Sequence, residues 1–396
     1  MHSEIPSENP EAAARHHATL RGLQRRLIAH LRAGRTTDLA PTPMRNPASV
    51  YVDAERHARE QQQLFLEQPL VAGLSGDIAD VGDSLAFDGA GRPILVVRDE
   101  AGVARAFLNR CTHRGARLSE GGCQPALTCP FHGWTFDLSG RLVGLPGKSG
   151  FEGLDPETLG LVELPCVEWH GLIFVRATPG VAIDVEAHLG SFAPELAELQ
   201  LQRYAPAKSG LMQSQGNWKY VIETFGEGYH FAQLHPDSLG QTHFNNVSVF
   251  DAFDRHHRVC FAPKHYKTLL AAPESEWPEL DSVVYMIFPN TTMLVGSPMP
   301  GHHFVQLFRI YPTGISQTAT LFSLYAPHEQ LQDPQAQAIA SGGYDLAARI
   351  IETEDFRMAG SAQRNFVQAL PHSEVIYGRN EIALQHLHRQ FDAALR

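Results

Sequence analysis

The stretch "CTHRGARLSEGGCQPALTCPFHGW" occupies residues 111–134 and carries two cysteine–histidine pairs. Cys111 and His113 form C-x-H, fifteen residues intervene, and Cys129 and His132 form C-x-x-H. With 5 Cys and 21 His in 396 residues, each spacing is expected by chance only roughly a quarter of a time. Both pairs stand in Gly/Pro-containing segments, so two loop tips can pinch one centre. Two thiolates and two imidazoles suit either a structural zinc or a mixed-ligand [2Fe–2S] cluster. Outward from this stretch, "RPILVVRD", "VARAFLNR" and "GLIFVRA" alternate with Gly, Pro and Asp turns from about residue 70 to 180. That texture predicts a small antiparallel β domain.

The flanks separate the two metal readings. C-x-H, a spacer of this length and C-x-x-H, set in "HRG" and "CPFHGW", resemble the Rieske domain. The resemblance implies a [2Fe–2S] cluster held by Cys111, His113, Cys129 and His132. The cysteines would hold one iron and the histidines the other, and neutral imidazoles in place of thiolates raise the reduction potential. Cys123, Cys166 and Cys260 lie outside the motif and are expected to be buried free thiols.

Such a cluster moves one electron and needs either a membrane partner or a second reactive centre. Residues 216–236, "GNWKYVIETFGEGYHFAQLHP", offer the second. They resemble the catalytic signature of Rieske non-heme iron oxygenase α subunits: N-W-K, E-N-F, then an acid, Tyr and His, with a second His five residues on. Mononuclear Fe(II) takes two His and a carboxylate on one face, leaving positions open. The resemblance assigns the imidazoles to His230 and His235. A five-residue step on a regular helix rotates about 140°. Pro236 disfavours the α region at His235, which is therefore expected where the helix ends or distorts.

The family places the carboxylate in a late helix. In "RIIETEDFRMAGSAQ" (349–363), Asp355 shares a stripe with Ala348, Ile351, Met358, Ala359 and Ala362. A carboxylate there needs a partner to offset burial. Glu354 is expected instead as a solvated pair with Arg357 at i+3. The resemblance makes Glu227 the bridge that carries electrons from a Rieske histidine, His113 or His132, to a mononuclear-site histidine, usually between neighbouring subunits of a trimer. Most of the family has Asp at that position. A Glu bridge occurs among members that attack quaternary amines such as carnitine and choline. Thr224 stands where the family often has Asn.

The rest of the chain bounds the partners. Net charge is −11, which argues against nucleic acid, and no apolar run approaches the roughly 18 residues that cross a bilayer. A cytoplasmic protein is expected. Residues 1–67 are read as a helical extension packing on the catalytic domain or a neighbouring subunit. Its basic helix spans 11–34, with Leu20, Leu23, Leu27 and Leu31 on one stripe, and a second helical pattern runs from Val52 to about Glu67. Residues 68–180 are the Rieske domain and 181–396 the catalytic domain, an α+β architecture. The resemblance implies a helix-grip catalytic domain (START-like) with a curved antiparallel sheet and a long C-terminal helix. That helix is expected from about Tyr344 to Leu370. "FAPELAELQLQRY" (192–204) also reads as helix, while "SVVYMIFPNTTMLVG", "HFVQLFRIYPT" and "QTATLFSLYAP" read as strands. Arg105, Arg110, Arg114 and Arg117, with no acid within 101–119, are either scattered surface charges or a docking patch for an acidic ferredoxin or reductase.

No dinucleotide fingerprint is present, so electrons from NAD(P)H need a separate flavin/iron–sulfur reductase or a ferredoxin. The resemblance thus implies the terminal oxygenase of a homotrimeric system that uses O2 to (di)hydroxylate a small aromatic substrate. The alternative is a monooxygenase or demethylase acting on a quaternary amine or methylated substrate.

Overall fold

The computed structural model describes residues 10–280, 282–299 and 301–396. The chain divides into two compact units. The first comprises Gln61–His188 and Gln200–Ala205; among the described residues the second comprises Pro10–Glu60, Leu189–Leu199 and Pro206–Arg396.

The first unit is built of short antiparallel strands. A five-stranded sheet runs in the order Glu163–Leu164, Ala104–Leu108, Ile94–Arg98, Asp83–Phe87, Gly122–Cys123. Two three-stranded sheets accompany it, one of Cys166–Trp169, Leu172–Val175 and Leu70–Leu74, the other of Leu127–Thr128, Thr135–Phe136 and Leu142–Gly144. The core cluster around Leu95, Val97, Phe107, Trp134 and Phe136 includes Cys111 and Cys129, each 2% exposed. The motif cysteines are thus part of the packing itself. Cys123 departs from expectation: it is exposed at an edge, and Cys166 is half-buried, while Cys260 of the second unit is buried.

The second unit is organised on a seven-stranded sheet. Its order is Tyr204–Ser214, Gln317–Pro327, His302–Gly314, Thr291–Met299, Ser282–Ile287, His256–Pro263, His243–Phe253. "SVVYMIFPNTTMLVG" forms two of these strands, because Pro289 cannot donate to a ladder and the chain turns at Phe288–Asn290. The helix Pro334–Ile350 packs on the strand Gln317–Pro327, passes through a wide π turn at Ile351–Asp355 and continues as Phe356–Val367. It begins ten residues before the expected start. Asp333 caps it by accepting from Gln335 N, and Pro334 occupies the first turn, where its missing N–H costs nothing.

The segment 192–204 is α-helical only over Ala193–Ala197; Gln200 then adopts a left-handed φ of 50°, a 3-10 turn covers Leu201–Arg203 and a strand begins at Tyr204. The N-terminal helix runs over Pro10–Arg32 and buries Leu23, Leu27, Ile28 and Leu31 on the side of the edge strand His243–Phe253 and its neighbour His256–Pro263. Its basic face is paired as well: Arg26 bonds Asp38 and Asp251, both at 2.7 Å. Residues 10–60 therefore cluster with the seven-stranded sheet, while 61–67 cluster with the first unit. The second predicted helix ends at Glu60, followed by a π turn at Gln61–Leu66.

Candidate functional site

The two cysteine loops of the first unit share one backbone plan. Cys111 N donates to Ala116 O at 2.8 Å and Gly115 N to Cys111 O at 2.9 Å. In the second loop Cys129 N donates to Trp134 O at 2.7 Å and Gly133 N to Cys129 O at 3.0 Å. Each loop closes through a glycine at positive φ, 78° for Gly115 and 72° for Gly133, a conformation that L side chains resist. This is the physical content of the "HRG" and "FHG" flanks.

The histidines lie outside the buried cysteines, with ring centroids 4.7 Å apart and planes at 66°. His132 is exposed; His113 is half-buried and stacks on Trp134 at 4.8 Å. His113 Nδ1 is buried without a hydrogen-bond partner, as a nitrogen reserved for a metal would be. Burial pushes the Cys111 thiol up, with Cys129 beside it adding to the rise. Such a pair is costly as free thiolates and is satisfied by metal.

The surrounding arginines do not form a uniform patch. Arg105 is held by Asp99 at 2.7 Å and Glu163 at 2.8 Å, and Arg117 by Asp88 at 2.6 Å and Glu120 at 2.9 Å. These acids come from neighbouring strands and turns, so they were invisible within 101–119. Arg110 and Arg114 stay exposed, the latter over the Phe131 ring at 5.1 Å.

In the second unit the N-W-K triplet anchors a short helix, Trp218–Glu223. Asn217 caps it by accepting from Lys219 N at 3.0 Å, and its amide donates to Tyr51 O and Ile315 O. Trp218 Nε1 and Lys219 Nζ both reach Glu60, at 3.1 and 2.7 Å. The Lys219–Glu60 pair is sealed from water, at 1% and 0% exposed. Burial pushes the Lys219 ammonium down, and Glu60 opposes that shift. At the far end Glu223 accepts from Tyr51 Oη at 2.7 Å and His388 Nε2 at 2.8 Å. Burial, followed by the Glu223 charge, pushes both the Tyr51 and Tyr377 phenols up, so they stay O–H donors. Glu60, Glu223 and His388 were not legible in sequence, because their partners are 158 to 172 positions away.

Beyond this helix the chain turns at Gly226, where an added Cβ would meet Leu384 at 2.6 Å, and delivers Glu227, His230 and His235. His230 is the N-cap and His235 the C-cap of a one-turn helix, Phe231–Leu234. His235 has left the helical region, at φ −112° and ψ 44°, as Pro236 requires. Its carbonyl accepts from Gly240 N at 2.8 Å. The two Nε2 atoms come to 3.2 Å, and Asp355 Oδ1 lies 3.8 Å from His230 Nε2 and 3.4 Å from His235 Nε2. Among the described residues this is the one group of three or more His, Cys, Asp or Glu with metal-ligand spacing.

Both outer nitrogens face carboxylates. Glu227 Oε1 is 2.5 Å from His230 Nδ1, and Glu354 Oε2 is 2.6 Å from His235 Nδ1. A carboxylate calls for an N–H, which places the proton on each Nδ1 and leaves each Nε2 a bare lone pair. Two lone pairs and a carboxylate oxygen therefore converge, an arrangement that repels itself unless a cation sits at its centre. A triangle with sides of 3.2, 3.4 and 3.8 Å has a circumradius of about 2.0 Å, matching the roughly 2.0–2.2 Å that a divalent first-row ion such as zinc keeps from these atoms. Without an ion a proton is the substitute. Burial lowers the His235 pKa, but Asp355 and then Glu354 outweigh it, and the net shift is upward.

Glu354 is a correction to the sequence reading. Its carboxylate turns from solvent to His235, and Ser238 Oγ donates to it at 3.1 Å. The i+3 argument assumed regular helical steps, whereas the π turn at Ile351–Asp355 re-aims both acids. Glu227 folds back on its own chain: Oε2 accepts from the backbone N–H groups of Tyr229 and His230. Thr224 Oγ1 donates to Val221 O at 2.9 Å, within its own helix.

Two family profiles match the chain, "Rieske [2Fe-2S] domain" over residues 68–167 and "Ring hydroxylating alpha subunit (catalytic domain)" over 201–396. The chain is 25% identical to the carnitine monooxygenase oxygenase subunit of Acinetobacter baumannii, over 80% of this chain and 84% of that protein. It is 31% identical to the biphenyl 2,3-dioxygenase subunit alpha of Rhodococcus jostii over 46% of this chain and 41% of that one. Its fold is that of a quaternary ammonium Rieske monooxygenase crystallised with L-carnitine, with a TM-score of 0.73 at 22% identity, covering 90% of this chain and 96% of the other.

Proposed function

Because the chain belongs to the Rieske non-heme iron oxygenase α subunits, we propose that it is the oxygenase component of a quaternary-amine monooxygenase. Its general class is that of a terminal oxygenase with a [2Fe–2S] cluster and mononuclear iron, supplied with electrons from NAD(P)H through a separate reductase. Cys111, His113, Cys129 and His132 hold the cluster in this reading, and His230, His235 and Asp355 hold the mononuclear iron. When bound, that iron supplies O2 activation at positions the three ligands leave open. Glu227 accepts the His230 N–H, orients that ring and couples its proton to electron arrival. The partner imidazole, His113 or His132, comes from a neighbouring subunit of a homotrimer. The setting is cytoplasmic, where NAD(P)H is at hand; among the described residues no helix is long and apolar enough to cross a membrane.

The observation that carries the substrate class is Glu227 on His230 Nδ1, a glutamate where most of the family has aspartate and where the resemblance gives glutamate to members that attack quaternary amines. The relative that matches along most of both chains is named for carnitine, and the aromatic one matches less than half of either chain. The reaction balances as substrate, O2, NAD(P)H and H+ giving hydroxylated substrate, NAD(P)+ and water. Hydroxylation at a carbon next to a quaternary nitrogen yields a carbinol that expels the tertiary amine and leaves an aldehyde.

The test is O2 uptake with a surrogate reductase across a panel of quaternary amines and a panel of small arenes, with products read by mass spectrometry. A tertiary amine and an aldehyde, with about one O2 consumed per NAD(P)H, support the reading. Coupled turnover confined to arenes, giving diols or phenols, overturns it.

A further inference from the structure

The carboxylate on the outer nitrogen of His235 has no part in the reaction just described. Glu354 Oε2 lies 2.6 Å from His235 Nδ1, and Ser238 Oγ reaches the two carboxylate oxygens at 3.4 and 3.1 Å. The His235 side chain is 1% exposed and that of Glu354 27%. We infer that Glu354 is a positioning residue of the mononuclear iron site, fixing the His235 ring and strengthening its Nε2 as a ligand. The inference rests on His230, His235 and Asp355 being the ligands.

Three observations carry it. Glu354 and Asp355 are consecutive, yet one meets His235 at Nδ1 and the other at Nε2, 3.4 Å away. One ring is thus held at both nitrogens by adjacent acids, an arrangement that the π turn makes possible. Such turns give up regular hydrogen bonding and concentrate where function uses the altered aim. Next, an acid on a solvent-facing helix has water as its default partner; this one bonds a buried imidazole and is itself held by a hydroxyl. Finally, the two imidazoles are served differently. Glu227 also accepts from the backbone of Tyr229 and His230, whereas the second partner of Glu354 is the Ser238 side chain. One carboxylate is built into the loop that delivers electrons, and the other is committed to holding the metal.

A histidine N–H given to a carboxylate fixes the tautomer and makes the opposite nitrogen more basic, and removal of such a partner lowers metal affinity about 10–100-fold. Loss of Glu354 is therefore expected to weaken iron retention, whereas loss of Glu227, which holds the other ring, is expected also to slow electron arrival at the iron that is bound.

The experiment uses the full chain with its [2Fe–2S] cluster retained and the mononuclear iron removed by chelation. Fe(II) is titrated anaerobically, and the EPR signature of the ferrous site with nitric oxide as a probe is recorded. Glu354→Ala is expected to bind Fe(II) about 10–100-fold more weakly, with an altered nitrosyl signal and an unchanged Rieske spectrum. Glu354→Gln keeps the side-chain shape and an acceptor oxygen but not the charge. It guards against a truncation that unfolds the helix, and a smaller loss in the same direction is expected. Wild-type affinity and an unchanged nitrosyl signal in both variants would overturn the inference, provided that Asp355→Ala has lost its iron. Undiminished iron binding by Asp355→Ala is a different result, which overturns the ligand assignment itself.

Discussion

Replacing Glu227 by Gln tests the proposed electron bridge. The carboxylate uses both oxygens: Oε1 takes the His230 Nδ1–H at 2.5 Å, while Oε2 takes the backbone N–H groups of Tyr229 and His230. Glutamine offers one acceptor oxygen, so one of the two sides must face an NH2 group. Even if the amide oxygen stays on Nδ1, the bond falls from charge-assisted to neutral. Charge-assisted hydrogen bonds contribute about 1.5–3 kcal/mol and neutral ones about 0.5–1.5. The difference of about 1–2 kcal/mol corresponds to roughly 5–30-fold, and complete loss of the contact to roughly 150-fold. Glu227→Asp is the companion variant: one methylene is about 1.5 Å, which opens the 2.5 Å contact to about 4 Å unless the backbone follows. The assay is bleaching and recovery of the cluster's visible absorbance, after reduction and then mixing with substrate and O2. Recovery, read per mononuclear iron bound, is expected to slow by about 10–100-fold in both variants, with the Rieske spectrum unchanged. Cluster reoxidation at the wild-type rate, with product and O2 in the normal ratio, would refute the bridge.

Three further outcomes follow from the same contacts. Lys219→Ala leaves Glu60 buried without its ammonium, so a stability loss of about 3–5 kcal/mol is expected in denaturant unfolding of the second unit; a change under 1 kcal/mol would show that the pair is not sealed from water. In the first unit, burial tends to raise Asp99 and Glu168. The backbone N–H of Val103 with Arg105, and the Arg98 guanidinium, outweigh it and hold both carboxylates below their usual values. Depressed folded-state pKa values mean stability that is fully present above the ordinary carboxylate range and lost as pH falls through the folded values. The cluster's absorbance should therefore survive to about pH 5 and collapse on further acidification, with a shallower pH dependence in Asp99→Asn. Cys123 is exposed, whereas burial pushes the Cys166 thiol up to about 12 and Cys260 is buried. With the cluster intact, an aromatic disulfide reagent should titrate one thiol per native chain, and Cys123→Ser should abolish that reaction.

The sequence carried the local parts of this site in readable form. Cys111, His113 and Gly115 belong to one loop, as do Cys129, His132 and Gly133, and each loop closes on a glycine at positive φ. His230 and His235 lie at the two ends of one helical turn, and Pro236 announced where that turn stops. Asp355, more than a hundred positions on, was singled out by the resemblance, which places the carboxylate in a late helix, together with its place on an apolar stripe. What failed did so where regular geometry was assumed or where partners were distant. Glu354 was given to Arg357 on the premise of even helical steps. Arg105 and Arg117 stayed open between scattered surface charges and a docking patch because Asp88, Asp99 and Glu163 lie outside the segment considered.

By itself, then, the sequence set the loops and the helix end that carry the proposed metal ligands, because such features are fixed within a few residues by φ and by hydrogen-bonding capacity. The tertiary structure decided which carboxylate serves which nitrogen. Glu354 became the partner of His235 only when the π turn at 351–355 aimed it at a segment 119 positions away. Inside a protein an imidazole N–H shielded from water binds a carboxylate more strongly than a solvated arginine on the surface does.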